Sequence, residues 1–498
     1  MLSLRAAAAI VGCPFVGDGA AVFARVSSDS RDLRAGDLFV ALRGERFDGH
    51  GFIAQALAAG ASAVLAEQLP DGFAGNALVA ADTRVALGLL AAGWRRRFAL
   101  PVIGVTGSNG KTTVKEMLAA ILAAAAGEGA RLATAGNLNN DIGTPLTTLR
   151  LHAGHQLAVI EMGMNHPGEI AQLARIAQPT VALVNNAQRE HQEFMQSVAA
   201  VAQENGSVFA ALPADGVAVF PAGTGFDALW RDLAGGRACR SFALDDAPAG
   251  APIDALRAGI EAISGASTEA HARRADVIGH ATPTDFGWAL SLSGALDIAG
   301  IDLHLFGRHN ALNAVAAATC AAAAGVDAEA IRAGLTDFRP VRGRLQVKTA
   351  ALAPAAGARV LDDTYNANPD SVLAAIDVLA SLPAPRVLVL GDMGEVGDNG
   401  PQFHAEVGQR ARECGIDALI VMGELARAAL TAFADTGASG AVDQQAPTSA
   451  EAASAEDAAT TAAQAAGGTG SILVKGSRFM RMERVVVALC GETVAGAH

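Results

Sequence analysis

Val102-Ile103-Gly104-Val105-Thr106-Gly107-Ser108-Asn109-Gly110-Lys111-Thr112-Thr113 is the stretch that decides the fold. The run VIGVT has the length of a buried strand and no polar alternation. A glycine-bounded turn follows, and from Thr112 to about Ala126 the pattern is helical. Strand, glycine-rich turn and helix, in that order, let backbone N–H groups turn inward around phosphate oxygens. The helix N-terminus adds partial positive charge. Lys111 has the reach for β and γ phosphates, and the Thr112 hydroxyl suits Mg²⁺. The spacing is GxxGKT, shorter than the common GxxxxGKT, so a chance glycine turn is the competing explanation. Lysine usage decides against it. Of 37 Lys and Arg, the lysines are Lys111, Lys115, Lys348 and Lys475 alone. A lysine kept in this turn answers a specific need. Gly107, Ser108, Asn109, Gly110, Lys111, Thr112 and Thr113 are therefore candidate ATP-binding residues.

Working outward, Leu157–Glu161 (LAVIE) and Thr180–Val184 (TVALV) read as further buried strands. Continuous apolar runs separated by helices predict a parallel sheet covered on both faces. Before it, Leu38–Leu42 and Ala63–Ala66 read as strands, and Phe52–Ala59 and Leu87–Phe98 as helices. Beyond about Arg342, Arg359–Leu361, Arg386–Leu390, Ala418–Met422 and Ser471–Val474 read as strands of another α/β unit. Residues 442–470, rich in Ala, Ser, Thr and Gly, read as an Ala-rich surface helix and loop.

The bulk numbers agree with several domains. At roughly 100 to 200 residues each, a chain of 498 residues makes about three. Hydrophobic residues make up 51% and charged residues 17%, enough for sizeable cores. A net charge of -13 argues against a nucleic-acid partner. Five cysteines with no CxxC pair suit reduced thiols in the cytoplasm. The start, MLSLRAAAAIVG, runs on into globular sequence rather than into a signal-peptide cleavage site. No apolar run has the length of a membrane span, and a monomer is the simplest assembly.

Polar clusters recur just past the strands, where open α/β sheets bind ligands. Glu161 ends LAVIE, placed either for a second Mg²⁺ contact or for an ordinary salt bridge. Asn185-Asn186 and Glu190-His191-Gln192-Glu193 follow the next strand, with His191 a metal ligand or a structural histidine. Asn310 and Asn313 share a helix face, suited to an adenine edge or to capping. Arg342-Gly343-Arg344-Leu345, Asp362–Ser371, Gly391–Glu395 and Val474–Arg478 flank strands of the last unit. Turn chemistry accounts for their Asn, Asp, Gly and Pro, but less readily for Arg344 and Lys475.

Together these motifs resemble the Mur ligase family, the ATP-dependent amide ligases of peptidoglycan assembly, through nearly the whole chain. Gly44–His50, Thr134–Gly143 and Asp363–Asn368 look most like the branch that couples D-alanyl-D-alanine to UDP-N-acetylmuramoyl-tripeptide. The resemblance implies three α/β domains. Residues 1–98 would bind the UDP-sugar through Ser30, Arg31, Arg46, Asp48 and His50. Residues 99–341 would form a central P-loop parallel-sheet domain for ATP and Mg²⁺. Residues 342–498 would form a Rossmann-like α/β domain that closes on ATP and admits the dipeptide. The family's roles fall on Lys111, Glu161 and His191 as the catalytic set. Thr112, Glu161 and His191 would ligate metal. Asn310 would touch adenine, and Arg344 and Asp363 would reach ATP. Asn137, Asn139, Asn140, Tyr365 and Asn366 lie in substrate-binding passages. Lys475, Ser477 and Arg478 would meet the dipeptide carboxylate.

One position departs. Many members carry a carbamylated lysine in a segment reading AKGE; here Gln203-Glu204-Asn205-Gly206 stands, with Asn205 at the lysine's place. The expectation is that Glu204, or a water held by Asn205, supplies the missing oxygen. Two other readings stay open: a sibling Mur or folylpolyglutamate-type ligase, and a nucleotide-switch protein without ligase chemistry.

Overall fold

Apolar runs of strand length, separated by helices, build three large β-sheets in succession, beside a two-stranded antiparallel pair of Leu2–Ser3 with Val22–Phe23. The computed structural model describes residues 1–44, 47–190, 192–245, 275–435 and 448–492. The first sheet has five strands in the order Phe15–Val16, Ala77–Val79, Ala63–Ala66, Asp37–Val40, Arg25–Ser27. All its pairings are parallel except that of the edge strand Phe15–Val16. The helix expected from Leu87 spans Thr83–Arg95. It starts earlier because the Asp82 side chain caps it, accepting from the N–H groups of Arg84 and Val85 at 2.8 and 3.0 Å. Arg95, which ends this helix, is buried. Its guanidinium donates to the carbonyls of Ala177 (3.1 Å) and Gln178 (3.2 Å) on the next unit. Trp94 Nε1 donates to Leu151 O at 2.9 Å. One hydrophobic cluster runs from Leu2 through Trp94 to Trp230, so the first two units share a core.

The central sheet has nine strands. Six follow the expected crossover pattern and pair in parallel: Arg131–Ala133, Leu157–Glu161, Val102–Thr106, Val181–Val184, Val217–Pro221 and Ala238–Leu244. The expectation of a wholly parallel sheet needs correction beyond them. Val277–Thr284 joins in parallel, but Gly287–Gly294 and Ile298–Leu303 extend the sheet antiparallel. Along Gly287–Gly294, Leu290 and Leu292 are buried while Ala289 is exposed and Ser291 and Ser293 are partly exposed. That alternation marks a sheet packed on one face, and it is written in the sequence, where Trp288, Leu290 and Leu292 alternate with Ala289, Ser291 and Ser293. The helix after the glycine turn, Lys111–Ala126, is wedged between the sheet and the helices Arg308–Ala323 and Ala328–Asp337.

The third sheet runs in the order Gln346–Thr349, Arg359–Asp363, Ser471–Lys475, Arg386–Gly391, Ala418–Met422, Thr448–Glu451, parallel except at its first pair. The Ala-rich segment is not a surface helix and loop. Thr448–Glu451 is an edge strand, and Ala458, Ala459, Ala462, Ala463 and Ala466 of the helix Ala455–Ala466 are buried against the sheet. Small side chains let that helix lie close. The part of this segment before Thr448 lies outside the described residues.

The central and third units meet at side chains from both. Asn109 and Asn368 exchange amide bonds (2.8 and 3.3 Å), and Arg344 Nη2 donates to Thr112 Oγ1 at 2.8 Å. His309 stands at this junction. Burial pushes its imidazole down to about 4, against the pull of Asp363 upward and with the help of Lys475 downward.

Two outcomes follow from this packing. A Cβ on Gly334 would come within 2.4 Å of Ile121 Cα on the helix after the glycine turn. Gly334→Val should therefore cost about 1–3 kcal/mol, read as a lower midpoint in calorimetry. The folded His309 pKa lies below the ordinary 6.5, so between those values the unfolded chain holds the extra proton. Stability is then fully present above 6.5 and is lost as pH falls toward about 4. His309→Asn should flatten that part of the stability–pH curve in denaturant titrations.

Candidate active site at the junction of the second and third units

Two glycines shape the turn. Gly107 has φ +129° and Gly110 φ +81°. A Cβ on Gly110 would lie 2.7 Å from both Asn185 Nδ2 and Asn313 Oδ1, so the site requires glycine sterically as well as conformationally. Asparagines hold the turn from behind. Asn205 Oδ1 accepts from Gly107 N–H, and Asn186 Oδ1 from Asn109 N–H, each at 2.8 Å. Asn185 Nδ2 donates to Asn109 O (2.8 Å) and to Asn313 Oδ1 (2.9 Å). Gly110 caps the helix Lys111–Ala126 with no side-chain bond, leaving its first N–H groups to an anion. Lys111 Nζ donates to the carbonyls of Gly107 and Ser108 and to Glu190 Oε1 at 2.8 Å.

Glu161 closes the far side. Its carboxylate, 1% exposed, accepts from Thr112 Oγ1 at 3.0 Å and from Asn139 Nδ2 at 2.8 Å, both on Oε1. The second oxygen, Oε2, is buried with no hydrogen-bond partner, as is Nε of Arg344. A buried carboxylate oxygen without a donor is costly. A hydroxyl and a half-satisfied carboxylate side by side form an oxygen donor set suited to a hard cation with its own waters.

The third unit faces this from across a cavity of about 1230 Å³. Arg344 reaches Thr112, and its guanidinium lies 4.2 Å from the Tyr365 ring centroid. Asp363 accepts from Leu345 N–H at 3.2 Å and from Lys475 Nζ at 2.6 Å. Lys475, 3% exposed, also donates to Asn366 O. Its charge therefore organises the strand ends. Ser477 is similarly engaged, accepting from Gly394 N–H and donating to Ala367 O. Of the three residues read as dipeptide contacts, Arg478 alone presents an exposed charge. Tyr365, Asn366, Lys475, Ser477 and Arg478 all line the cavity.

The remaining candidates fall in different places. Asn137, Asn139 and Asn140 line the cavity, and Asn140 Oδ1 holds its own turn by accepting from Gly143 N–H at 2.9 Å. Asn310 also lines it, yet it is not the helix cap: its amide donates to Phe306 O at 2.8 Å and its oxygen accepts from Asn313. Ser30, Arg31, Asp48 and His50 lie outside this lining. Arg31 pairs with Asp29 at 2.8 Å. His50 is bonded at both ring nitrogens, to Asp48 Oδ1 (2.6 Å) and to the N–H of Glu67 (2.9 Å). The His50 backbone N–H, which donates to Asp48 Oδ1 at 2.9 Å, holds the Asp48 carboxyl well below the usual range, with the His50 ring and Arg43 adding to it. Arg46 and His191 lie outside the described residues.

The expectation for Glu204 and Asn205 is overturned. Both Glu204 oxygens accept backbone N–H groups, from Gly168 and Ile170 at 2.9 Å, where they cap the helix Glu169–Ala177. Asn205 spends its oxygen on Gly107 and its amide on Val201 O. Neither lines the cavity that holds Lys111, Thr112 and Glu161. Sequence reading marks the asparagines behind the turn without assigning them a bracing role. Their signal was the Asn185-Asn186 pair directly after a strand.

Comparison with known proteins follows the same layout. Residues 23–88 match the Mur ligase family catalytic domain, 105–321 the Mur ligase middle domain, and 343–478 the Mur ligase glutamate ligase domain. An Escherichia coli relative, UDP-N-acetylmuramoyl-tripeptide–D-alanyl-D-alanine ligase, is 40% identical over 93% of each chain. A crystal structure of MurF from Acinetobacter baumannii superposes with a TM-score of 0.82 at 31% identity, covering 99% of each chain. MurF ligase from Thermotoga maritima, solved in complex with ADP, gives 0.74 at 26% identity over 94% of this chain and 97% of that one. With every block of the sequence matched in order, this chain belongs to the Mur ligase family.

Proposed function

We propose that this chain is the ATP-dependent ligase that joins D-alanyl-D-alanine to UDP-N-acetylmuramoyl-tripeptide, a cytoplasmic step in making peptidoglycan precursor. The observation that carries this reading is one cavity shared by Lys111, the Thr112–Glu161 pair and Arg344. The name of the Escherichia coli relative supports the choice of substrates. Free cysteines at all five positions accord with a reducing compartment. Among the described residues, no helix is long and apolar enough to cross a membrane.

The chemistry sets the demands. A carboxylate does not react with an amine at neutral pH, because oxide is a poor leaving group. Passing the γ-phosphoryl of ATP to that oxygen gives an acyl phosphate, which the dipeptide amine attacks with loss of phosphate. The protein's share is positioning and charge neutralisation. The turn Gly107–Thr113 grips the phosphates through its N–H groups, and Lys111 neutralises the charge that develops at the γ position. Arg344 brings a second cation from the third unit. Asp363 and Lys475 set the backbone from which Arg344, Tyr365 and Asn366 face the site. Arg478 meets the dipeptide carboxylate, and Asn310 the adenine. Residues 1–98, through Ser30, Arg31, Arg46, Asp48 and His50, hold the UDP-sugar end; 99–341 bind ATP, and 342–498 close over it. Asn137, Asn139 and Asn140 line the path of the peptide. Closing these parts together excludes the water that would hydrolyse the acyl phosphate.

Mg²⁺ suits the Thr112–Glu161 pair, with His191 as a third ligand, and when bound would screen the phosphate charges.

Mass-spectrometric detection of ATP-dependent coupling between the UDP-linked tripeptide and D-alanyl-D-alanine tests the reading. Meso-diaminopimelate and D-glutamate serve as competing amines, and phosphate release that needs no amine would indicate a switch protein instead. Lys111→Ala should lower coupling on the order of 10³-fold while leaving the circular dichroism spectrum intact. Glu161→Gln should raise the Mg²⁺ needed for half-maximal rate by about 10-fold or more. Because Asn205 offers no amine for a carbamate, added bicarbonate should leave the rate unchanged, and stimulation would count against the assignment.

A further inference from the structure

Three consecutive residues beyond the strand Val181–Val184 each fasten a different part of the site. Gln188 Oε1 accepts from Asn109 Nδ2 at 2.7 Å, and Gln188 N–H donates to Ser108 Oγ at 3.0 Å. Arg189 turns the other way, to the third unit. Its backbone N–H donates to Asp370 Oδ2 at 2.7 Å, while Nε and Nη2 reach Asp370 Oδ1 at 3.0 and 2.6 Å. Nη1 and Nη2 also bond the two Glu406 oxygens, at 2.7 and 3.0 Å. The same guanidinium sits 5.3 Å from the Phe403 ring centroid. Glu190 turns back and pairs with Lys111 at 2.8 Å, the two side chains 12% and 14% exposed.

We propose that Gln188-Arg189-Glu190 couples nucleotide binding to the seating of the third unit. Arg189 is the positioning residue for that seating, and Glu190 competes with the nucleotide's terminal phosphate for Lys111. The proposal rests on the ATP-ligase reading above.

The physical case has three parts. An ammonium has three protons, and the bonds to Gly107 O, Ser108 O and Glu190 use three. A phosphate oxygen must displace one acceptor, and the like-charged carboxylate is the one it repels. Arg189 holds two carboxylates in forked geometry, which a lysine cannot reproduce. It is a partly buried network, less screened than an exposed pair. Finally, the two pairings are on neighbouring residues, so movement of Glu190 is felt at the Arg189 backbone, itself bonded to Asp370. Coupling of this kind is reciprocal: whatever seats the third unit favours nucleotide by the same factor.

Binding of a fluorescent, non-hydrolysable ATP analogue tests this, measured with and without saturating D-alanyl-D-alanine. Glu190→Gln should bind the analogue about fivefold tighter than the parent chain, because the competing charge is gone. In the parent chain the dipeptide should tighten analogue binding by about fivefold or more. Arg189→Ala should lose that enhancement, raise KM for the dipeptide, and bind the analogue alone more weakly than the parent, by up to the same factor. Arg189→Lys should recover only part of it. A purely structural role would lower the melting temperature without raising nucleotide affinity in Glu190→Gln. Weaker binding by Glu190→Gln, or an undiminished dipeptide effect in Arg189→Ala, would overturn the coupling. If the parent chain fails to bind the analogue at all, the ligase reading fails first. If it binds and the variants behave otherwise than stated, the coupling alone is wrong.

Discussion

At Gly107 and Gly110 the turn has room for backbone and nothing else, and the site is built on that restriction. Asn185 and Asn313 approach where a Cβ of residue 110 would stand. Asn186 and Asn205 pull the N–H groups of Asn109 and Gly107 into fixed directions. Asparagine suits this work because one short side chain offers a donor and an acceptor without carrying charge. A charged brace behind the turn would compete with the phosphates in front of it.

The same economy of charge governs the cavity. The cavity lining sets Lys111, Arg342, Arg344, Lys475 and Arg478 among a larger number of carboxylates, Glu161, Glu190 and Asp363 included. Some of these cations are committed to protein carboxylates: Lys475 to Asp363 and Lys111 to Glu190. Others, such as Arg344 and Arg478, stack near the Tyr365 ring. Committed cations hold shape, whereas stacked ones keep donors for a ligand. A helix packed through alanines follows similar logic in the third unit, where small side chains bring Ala455–Ala466 close to the central strands Arg386–Gly391 and Ala418–Met422.

The first unit is rigidly joined to the second through the buried Arg95 and Trp94. By contrast, the junction of the second and third consists of polar side chains: an amide pair, a forked arginine and a hydroxyl held by Arg344. Hydrophobic burial fixes a geometry, while polar contacts exchange readily with water and ligands. The joint able to open is therefore the one that borders the cavity.

Local sequence determined the glycine turn with its lysine, the buried strands about it, the strand-end carboxylate Glu161 and the α/β class, because each is a short-range pattern of spacing and hydrophobicity. It also singled out Arg344 and Lys475, since charges at strand ends stand out in an alanine-rich chain, while Asp363 and Tyr365 came with the family resemblance. What it left undecided was partnership. Whether Glu204 faces a cation or caps a helix, whether Lys475 is free or paired, and whether the Ala-rich segment is surface or core depend on residues far off in sequence. The antiparallel edge at Gly287–Leu303 escaped for a related reason: Trp288–Ser293 alternates, but alternation gives a strand two faces and does not name the neighbour it pairs with. Tertiary structure decided these points because hydrogen bonds and burial are properties of pairs, and a sequence names only one member at a time.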